Sequence, residues 1–240
     1  MTSPTPVEML ENELLAKLNE SDRRRLASHM LMFELSGKDI LQYAGEDVVD
    51  TWFPCGSSLA SFQLAFEDGT GAVEVALIGR EGAIGGIVSN GRLPAYANAV
   101  VRNGGPFFRL KTEALEQAKL DSLTLRHWFA RYSDCLIAQV FQTSACNATH
   151  TIMQRTAKWL LAAMARTRRH QVNITQEQLA EILGVGRTFV ARVVRQLRDE
   201  GIITTRRGAI SVINRNALHA KACRCSALIE NHYDVVLRDL

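Results

Sequence analysis

No proline follows Pro106, and no glycine lies between positions 106 and 183. Gly and Pro are the strongest helix breakers, so their absence leaves a long stretch of chain free to be helical. The stretch ahead of it, 33–111, is punctuated in the opposite way. Apolar runs at 39–43, 51–53, 59–65, 72–78, 83–88, 95–101 and 107–110 alternate with turn-formers. Those are Ser36-Gly37, Ala44-Gly45-Glu46-Asp47, Pro54-Cys55-Gly56, Glu67-Asp68-Gly69, Gly79-Arg80-Glu81-Gly82, Asn90-Gly91 and Asn103-Gly104-Gly105. Many short strands at near-regular spacing predict an antiparallel barrel, roll or jelly roll. Ahead of them, Leu10, Leu14, Leu15 and Leu18 recur at helical spacing, and Ser21-Asp22 is placed to cap a second short helix ending near Met30. The chain reads as α+β, strands first and helices after.

Charge is divided along the same line. The formal net charge is only +3. From 1 to 110, however, nine Lys/Arg face fourteen Asp/Glu, whereas from 151 to 215 twelve face four. A basic block on one part of a chain suits a polyanionic partner. Five cysteines, Cys55, Cys135, Cys146, Cys223 and Cys225, are an odd and scattered set without a CxxC pair. Reduced thiols in a cytoplasmic protein are therefore expected, with no metal and no cofactor. The start MTSPTPVEMLENELL lacks the charge and apolar run of a signal peptide, and no apolar stretch reaches the ~20 residues of a membrane span. No membrane partner is expected.

Within the helical part, Leu125, Phe129, Tyr132, Leu136, Val140 (or Gln139) and Thr143 step by three and four. The stripe extends over about three heptads, which predicts a homodimer seam on one long helix. A further helix is expected over 151–168, with Ile152, Ala157, Leu160, Leu161 and Met164 on its apolar face.

The segment 174–203, ITQEQLAEILGVGRTFVARVVRQLRDEGII, carries the function. Thr175, with Gln178 three residues on, is a capping box. Leu179, Ala180, Ile182 and Leu183 make one apolar face, and Gly184 supplies a tight turn. Val190, Val193, Val194 and Leu197 then point a second helix inward, leaving Arg187, Thr188, Arg192, Arg195 and Gln196 outward. Two short strands around Arg206-Arg207-Gly208 form a wing. Helix, turn, basic helix and wing are what major-groove reading of double-stranded DNA requires. The candidate DNA-contacting residues are Thr175, Gln176, Gly186, Arg187, Thr188, Arg192, Arg195, Arg206 and Arg207.

This segment resembles the winged helix-turn-helix of the Crp/Fnr family of transcription regulators, whose recognition helix reads Ser-Arg-Glu-x-Val-x-Arg. Gly186, Arg187, Thr188, Val190 and Arg192 fall at the Ser, Arg, Glu, Val and second Arg places. Thr188 replaces the Glu that accepts from cytosine in the family, so the family's best-known operator does not carry over. Thr175 matches a phosphate-contacting position. The resemblance implies three parts: a cyclic-nucleotide-binding-like, jelly-roll-like sensor roll (1–111), a long dimerisation helix (112–147) and a winged helix-turn-helix with a helical tail (148–240). It also implies RNA polymerase as a partner.

The resemblance gives the roll a cassette, Gly-Glu followed by Arg-Ser-Ala, that holds ribose and cyclic phosphate. Here Gly86 stands for the Glu and Ala97 for the Arg. A buried phosphate without its cation would be uncompensated, so cyclic AMP is not the expected effector. Glu81 and Arg92 lie nearby but in hairpin and loop. A cyclic nucleotide or other small molecule in a repurposed roll pocket is left open, beside a regulator with no ligand. The stretch GREGAIGG reads as a hairpin turn, because more strand follows it rather than a helix. No cysteine precedes Cys55, which excludes an N-terminal four-cysteine iron–sulfur cluster. Cys55 itself reads as a small buried hydrophobe rather than a haem ligand. No histidine falls within the roll, which leaves a cupin-like enzyme without metal ligands. Cys223-x-Cys225 is a redox or metal pair near His219 or His232, or else a helix turning a single Cys inward.

Overall fold

The computed structural model describes residues 4–5, 7–69, 71–87 and 93–238. The expected turn at Asn90-Gly91, Val88 and Arg92 lie outside them. A 3₁₀ turn (Glu8–Glu11) leads into helices α1 (Glu13–Ala16) and α2 (Glu20–Ala27). The fully buried Asn12 caps α1 by accepting from Leu15 N–H, and its amide donates to Pro54 and Gly82 carbonyls at 2.9 Å each. One side chain thus ties the first helix to two loops of the roll. Asn19, not Ser21-Asp22, caps α2, accepting from Asp22 N–H at 2.8 Å.

The helix stops at Ala27, and Met30 opens a strand, β1 (Met30–Leu35), where a helix end is expected from sequence. Leu26 and Met30 continue helical spacing, and the MLMFEL run is apolar at nearly every position, so no period of two marks it. Pairing decides: β1 runs antiparallel to β8 (Gly105–Lys111), with Met30 opposite Leu110 and Phe33 opposite Phe107.

The other strands are β2 (Ile40–Gln42), β3 (Asp50–Pro54), β4 (Leu59–Ala65), β5 (Ala72–Ile78), β6 (Ile84–Gly85) and β7 (Asn98–Asn103). They form two four-stranded antiparallel sheets, β1-β8-β3-β6 and β2-β7-β4-β5. Trp52, Ile84 and Phe107 of the first sheet meet Ala60, Ala76, Ile78, Ala99 and Val101 of the second, and Phe33, Leu41 and Phe62 close the edges. The inside of this roll is a packed apolar core.

The stretch 112–147 is two helices, not one. α3 (Thr112–Asp121) ends at Ser122, which is extended and caps α4 (Leu123–Thr149) by accepting from Leu125 N–H. Then follow α5 (Ile152–Thr167), β9 (Gln171–Val172), α6 (Gln176–Leu183), α7 (Arg187–Asp199), β10 (Ile203–Arg206), β11 (Ala209–Val212), α8 (Arg215–Lys221) and α9 (Cys225–Val236). Among the described residues, no helix is long and apolar enough to cross a membrane.

The seam expected on the long helix is corrected. Leu125, Phe129 and Tyr132 are 0% exposed within the single chain and share a core with Met9, Leu14, Leu15, Phe53 and Phe108. Trp128 adds a hydrogen bond from its indole N–H to the Leu14 carbonyl at 3.1 Å. The roll and the N-terminal helices offer a wide apolar surface, and this stripe covers it. Leu136 and Thr143 are half-buried, and Val140 stays exposed. A different face of α4 is left apolar in solvent: Leu123, Ile137, Val140 and Phe141.

Tyr132 also fastens α4 to the roll by polar bonds. Its hydroxyl donates to the Ala83 carbonyl at 3.0 Å and accepts from the Ala83 N–H at 2.8 Å. Tyr132→Phe would leave both backbone groups buried without a partner, a loss of about 1–3 kcal/mol per unsatisfied group. A urea titration should show a lowered midpoint at unchanged slope. The last helix comes back to the same place: α9 packs along α4, with Tyr233 edge-on to Tyr132 and Leu237 in the same core. The tail thus belongs as much to the roll and long helix as to the part it follows in sequence.

Candidate nucleic-acid interface

The helix pair α6–α7 is built locally. Thr175 caps α6, accepting from Gln178 N–H at 3.1 Å, while Gln178 Oε1 accepts from Thr175 N–H at 2.9 Å. Gly184 ends the helix at φ +61°, the left-handed region that costs a residue with a Cβ. Gly186, two residues later, is the N-cap of α7. Val190, Val193, Val194 and Leu197 are all buried, in one core with Leu179, Ile182, Leu183 and the α5 residues Leu160 and Ala163. The expected inward face is the observed one.

The opposite face of α7 is solvent. Gly186, Arg187, Thr188, Arg192 and Arg195 are exposed, as are Thr175, Arg206 and Arg207, whereas Gln176 is half-buried. None of these five arginines pairs with an acidic side chain among the described residues, whereas Arg198 turns to Asp199 at 3.5 Å. Arg206 and Arg207 sit at the tip of a hairpin, β10 to β11, whose turn passes through Gly208. β9 adds a third strand against β11, beyond the two expected from sequence.

One exposed residue escaped the sequence reading. Phe189 is 51% exposed on α7, and the Arg192 guanidinium lies 5.9 Å from its ring centre. An aromatic at a solvent position of an otherwise polar helix face was the available signal. The pair steadies Arg192 by a cation–π contact and presents an apolar edge beside the basic groups. Together the exposed side chains offer bidentate donors for base edges, cations for phosphates and one apolar contact for a thymine methyl.

The segment 154–221 matches the family model of the Crp-like helix-turn-helix domain. Residues 154–221 are a Crp-like helix-turn-helix domain. The chain as a whole has the fold of Crp/Fnr regulators. FixK2 from Bradyrhizobium japonicum is 16% identical at a TM-score of 0.68, covering 81% of this chain and 98% of that one. A CRP-family transcriptional regulator from Thermus thermophilus is 20% identical at 0.66, covering 79% and 96%. The c-di-GMP-responsive regulator CLP of Xanthomonas campestris is 14% identical at 0.63, covering 81% and 99%. At such identities the likeness is one of fold. No curated protein sequence matches this chain.

The Crp-like domain is bound to the roll through a mixed surface. Leu59 and Leu77 of the roll enter its core. Trp159 N–H donates to Glu74 at 2.8 Å, Arg166 pairs with Glu81 at 2.7 Å, and Gln63 donates to Glu181 at 3.3 Å. Burial pushes the Glu74 carboxyl up, against the pull of Arg102 and the Trp159 N–H. Glu81, read from sequence as a hairpin residue near the cassette, thus serves the domain contact.

Neither described cassette position carries the side chain that the resemblance calls for. A Cβ on Gly86 would stand 2.3 Å from Thr112 Cγ2, so an acid there would collide with the start of α3. Ala97 is half-buried and offers no cation; its carbonyl accepts from Gln42 at 2.9 Å. Cys55 is 1% exposed in an apolar core, and burial pushes its thiol up to about 12. It is a packed neutral thiol, as expected.

The two C-terminal cysteines depart from expectation. Cys223 and Cys225 are both buried, because Cys223 lies in the α8–α9 link and only Cys225 is in a helix. They meet Cys146 and His150, not His219 or His232.

Proposed function

We propose that this chain is a sequence-specific transcription regulator that binds near-palindromic duplex DNA as a homodimer. The observation that carries it is the two-faced α7: valines and leucine inward, Arg187, Arg192 and Arg195 outward. Arg187 and Arg192 read base edges, Thr175 and the wing arginines Arg206 and Arg207 hold phosphates, and Gly186 lets the backbone come close. Gln176 and Thr188 complete the contact surface.

The protomers associate along the apolar solvent face of α4, through Leu123, Ile137, Val140 and Phe141, with Thr143 at its margin. This sets two recognition helices about one DNA turn, ~34 Å, apart. In this reading 1–111 is the sensor part, α3 and α4 are the connecting and dimerising part, and α5 onward carries DNA and a surface for RNA polymerase.

Binding to DNA fragments selected from a random pool tests the reading. A preferred two-fold sequence is expected, with affinity falling steeply as salt rises. Equal affinity for selected and scrambled duplexes would refute it. In this reading the effector is not cyclic AMP held by the family's cassette. Cyclic AMP at millimolar concentration should leave Tm unchanged, whereas a ligand at 100 times its Kd adds about 2.7 kcal/mol of stability and would raise Tm visibly.

A further inference from the structure

Cys146 and His150 stand at the C-terminal end of α4, and Cys223 and Cys225 at the link between α8 and α9. One ligand-capable atom from each of the four lies within 4.8 Å of all the others. Cys146 Sγ is 3.6 Å from Cys223 Sγ, and Cys225 Sγ is 3.6 Å from His150 Nδ1. In a tetrahedral zinc site with Zn–S bonds of about 2.3 Å, ligand atoms are separated by about 3.8 Å. Two of the pairs are therefore already at the spacing of one coordination shell, and the four groups together need to close in by no more than about 1 Å.

Packing argues against simple burial. The three thiols form a cluster of their own, apart from the three apolar cores of the described residues, with an imidazole in place of a further hydrophobe. We propose that Cys146, His150, Cys223 and Cys225 bind one zinc-class divalent ion. Binding replaces three thiol S–H bonds with three sulfur–metal bonds, and the three protons leave to solvent. The resulting centre carries one net negative charge. Arg155 and Lys158 are placed to offset it: Arg155 is near enough to feel Cys146 and Cys223, and Lys158 to act on Cys146. Gln142 Nε2 donates to Cys225 Sγ at 3.2 Å, a bond that a metal-bound thiolate strengthens.

The position gives the ion a task. α4 ends at His150, and α5, the first helix of the winged-helix core, begins at Ile152. The joint between them is where the long helix hands over to the DNA-binding part. A metal there pins that joint to the link from which α9 returns along α4. Two stretches of chain 77 residues apart are thereby held at one point.

The test uses the full chain, purified under reductant without chelator. Metal analysis should find about one zinc per chain. Cobalt added to the stripped protein should give the visible absorption of a tetrahedral thiolate site, displaced by zinc. The Cys223→Ser, Cys225→Ser double variant should lose metal, whereas Cys55→Ser and Cys135→Ser should keep it. Removing zinc should lower the Tm of the natural chain and leave that of the double variant unmoved. If the double variant fails to fold, the cobalt spectrum of the unaltered chain still decides. The proposal is overturned by absence of stoichiometric metal after zinc loading, by metal retained in the double variant, by iron with sulfide at the site, or by a Cys146–Cys223 disulfide in the reduced preparation. None of these readings involves DNA, so the result stands apart from the DNA-binding test.

Discussion

Arg187→Ala should remove most of the preference for the operator while leaving the fold intact. Arg187 is exposed at the first position of α7 and has no ion pair to lose among the described residues. An arginine bridging guanine O6 and N7 is worth about 1–3 kcal/mol of discrimination. A dimer carries two copies, so the loss is about 2–6 kcal/mol, roughly 30-fold to 10⁴-fold in operator affinity. Anisotropy titrations on operator and scrambled duplex at one salt concentration measure it. The operator affinity should fall far more than the scrambled one. Arg187→Lys separates charge from geometry: a lysine keeps the phosphate attraction but not the planar fork, so it should recover non-specific binding and little of the preference. An equal fall on both duplexes would reassign Arg187 to backbone contact, and no fall on either would remove α7 from the groove.

The second large effect is expected from Ile137→Asp combined with Phe141→Asp. These side chains are 50% and 70% exposed on α4, one turn apart, with Leu123 and Val140 on the same side. Two acids from each protomer would bring four carboxylates into a desolvated seam, where unpaired charge costs several kcal/mol. Light scattering should report a monomer. Losing the second half-site removes the effective-concentration advantage, a fall on the order of 10²–10⁴ in operator affinity. Leu125→Ala is the contrasting control. It opens a cavity in the core of a single chain and should cost ~2–5 kcal/mol of stability without acting on association. If the double aspartate variant remained dimeric, the seam would have to lie elsewhere.

The helix-turn-helix was legible because everything that makes it is local. A capping box three residues wide, a glycine at the turn and valines at helical spacing specify α6 and α7 without reference to the rest of the chain. The inward residues Val190, Val193, Val194 and Leu197 are the buried ones for that reason. Strands β4 and β5 were equally plain, each bounded by its own turn-formers. β1 was not, since its apolar run extends the spacing of the helix before it and only the partner strand β8 makes it a strand.

Sequence by itself determined that a punctuated, strand-rich half precedes a helical half ending in a basic helix-turn-helix. Those are properties of neighbours a few residues apart, set by backbone preference and side-chain period. Tertiary structure alone decided which stripe of α4 faces inward. Two apolar faces run along that helix, and spacing cannot tell the one the roll covers from the one left in solvent. It alone also brought Cys146 and His150 to Cys223 and Cys225, because only the return of α9 along α4 closes that distance.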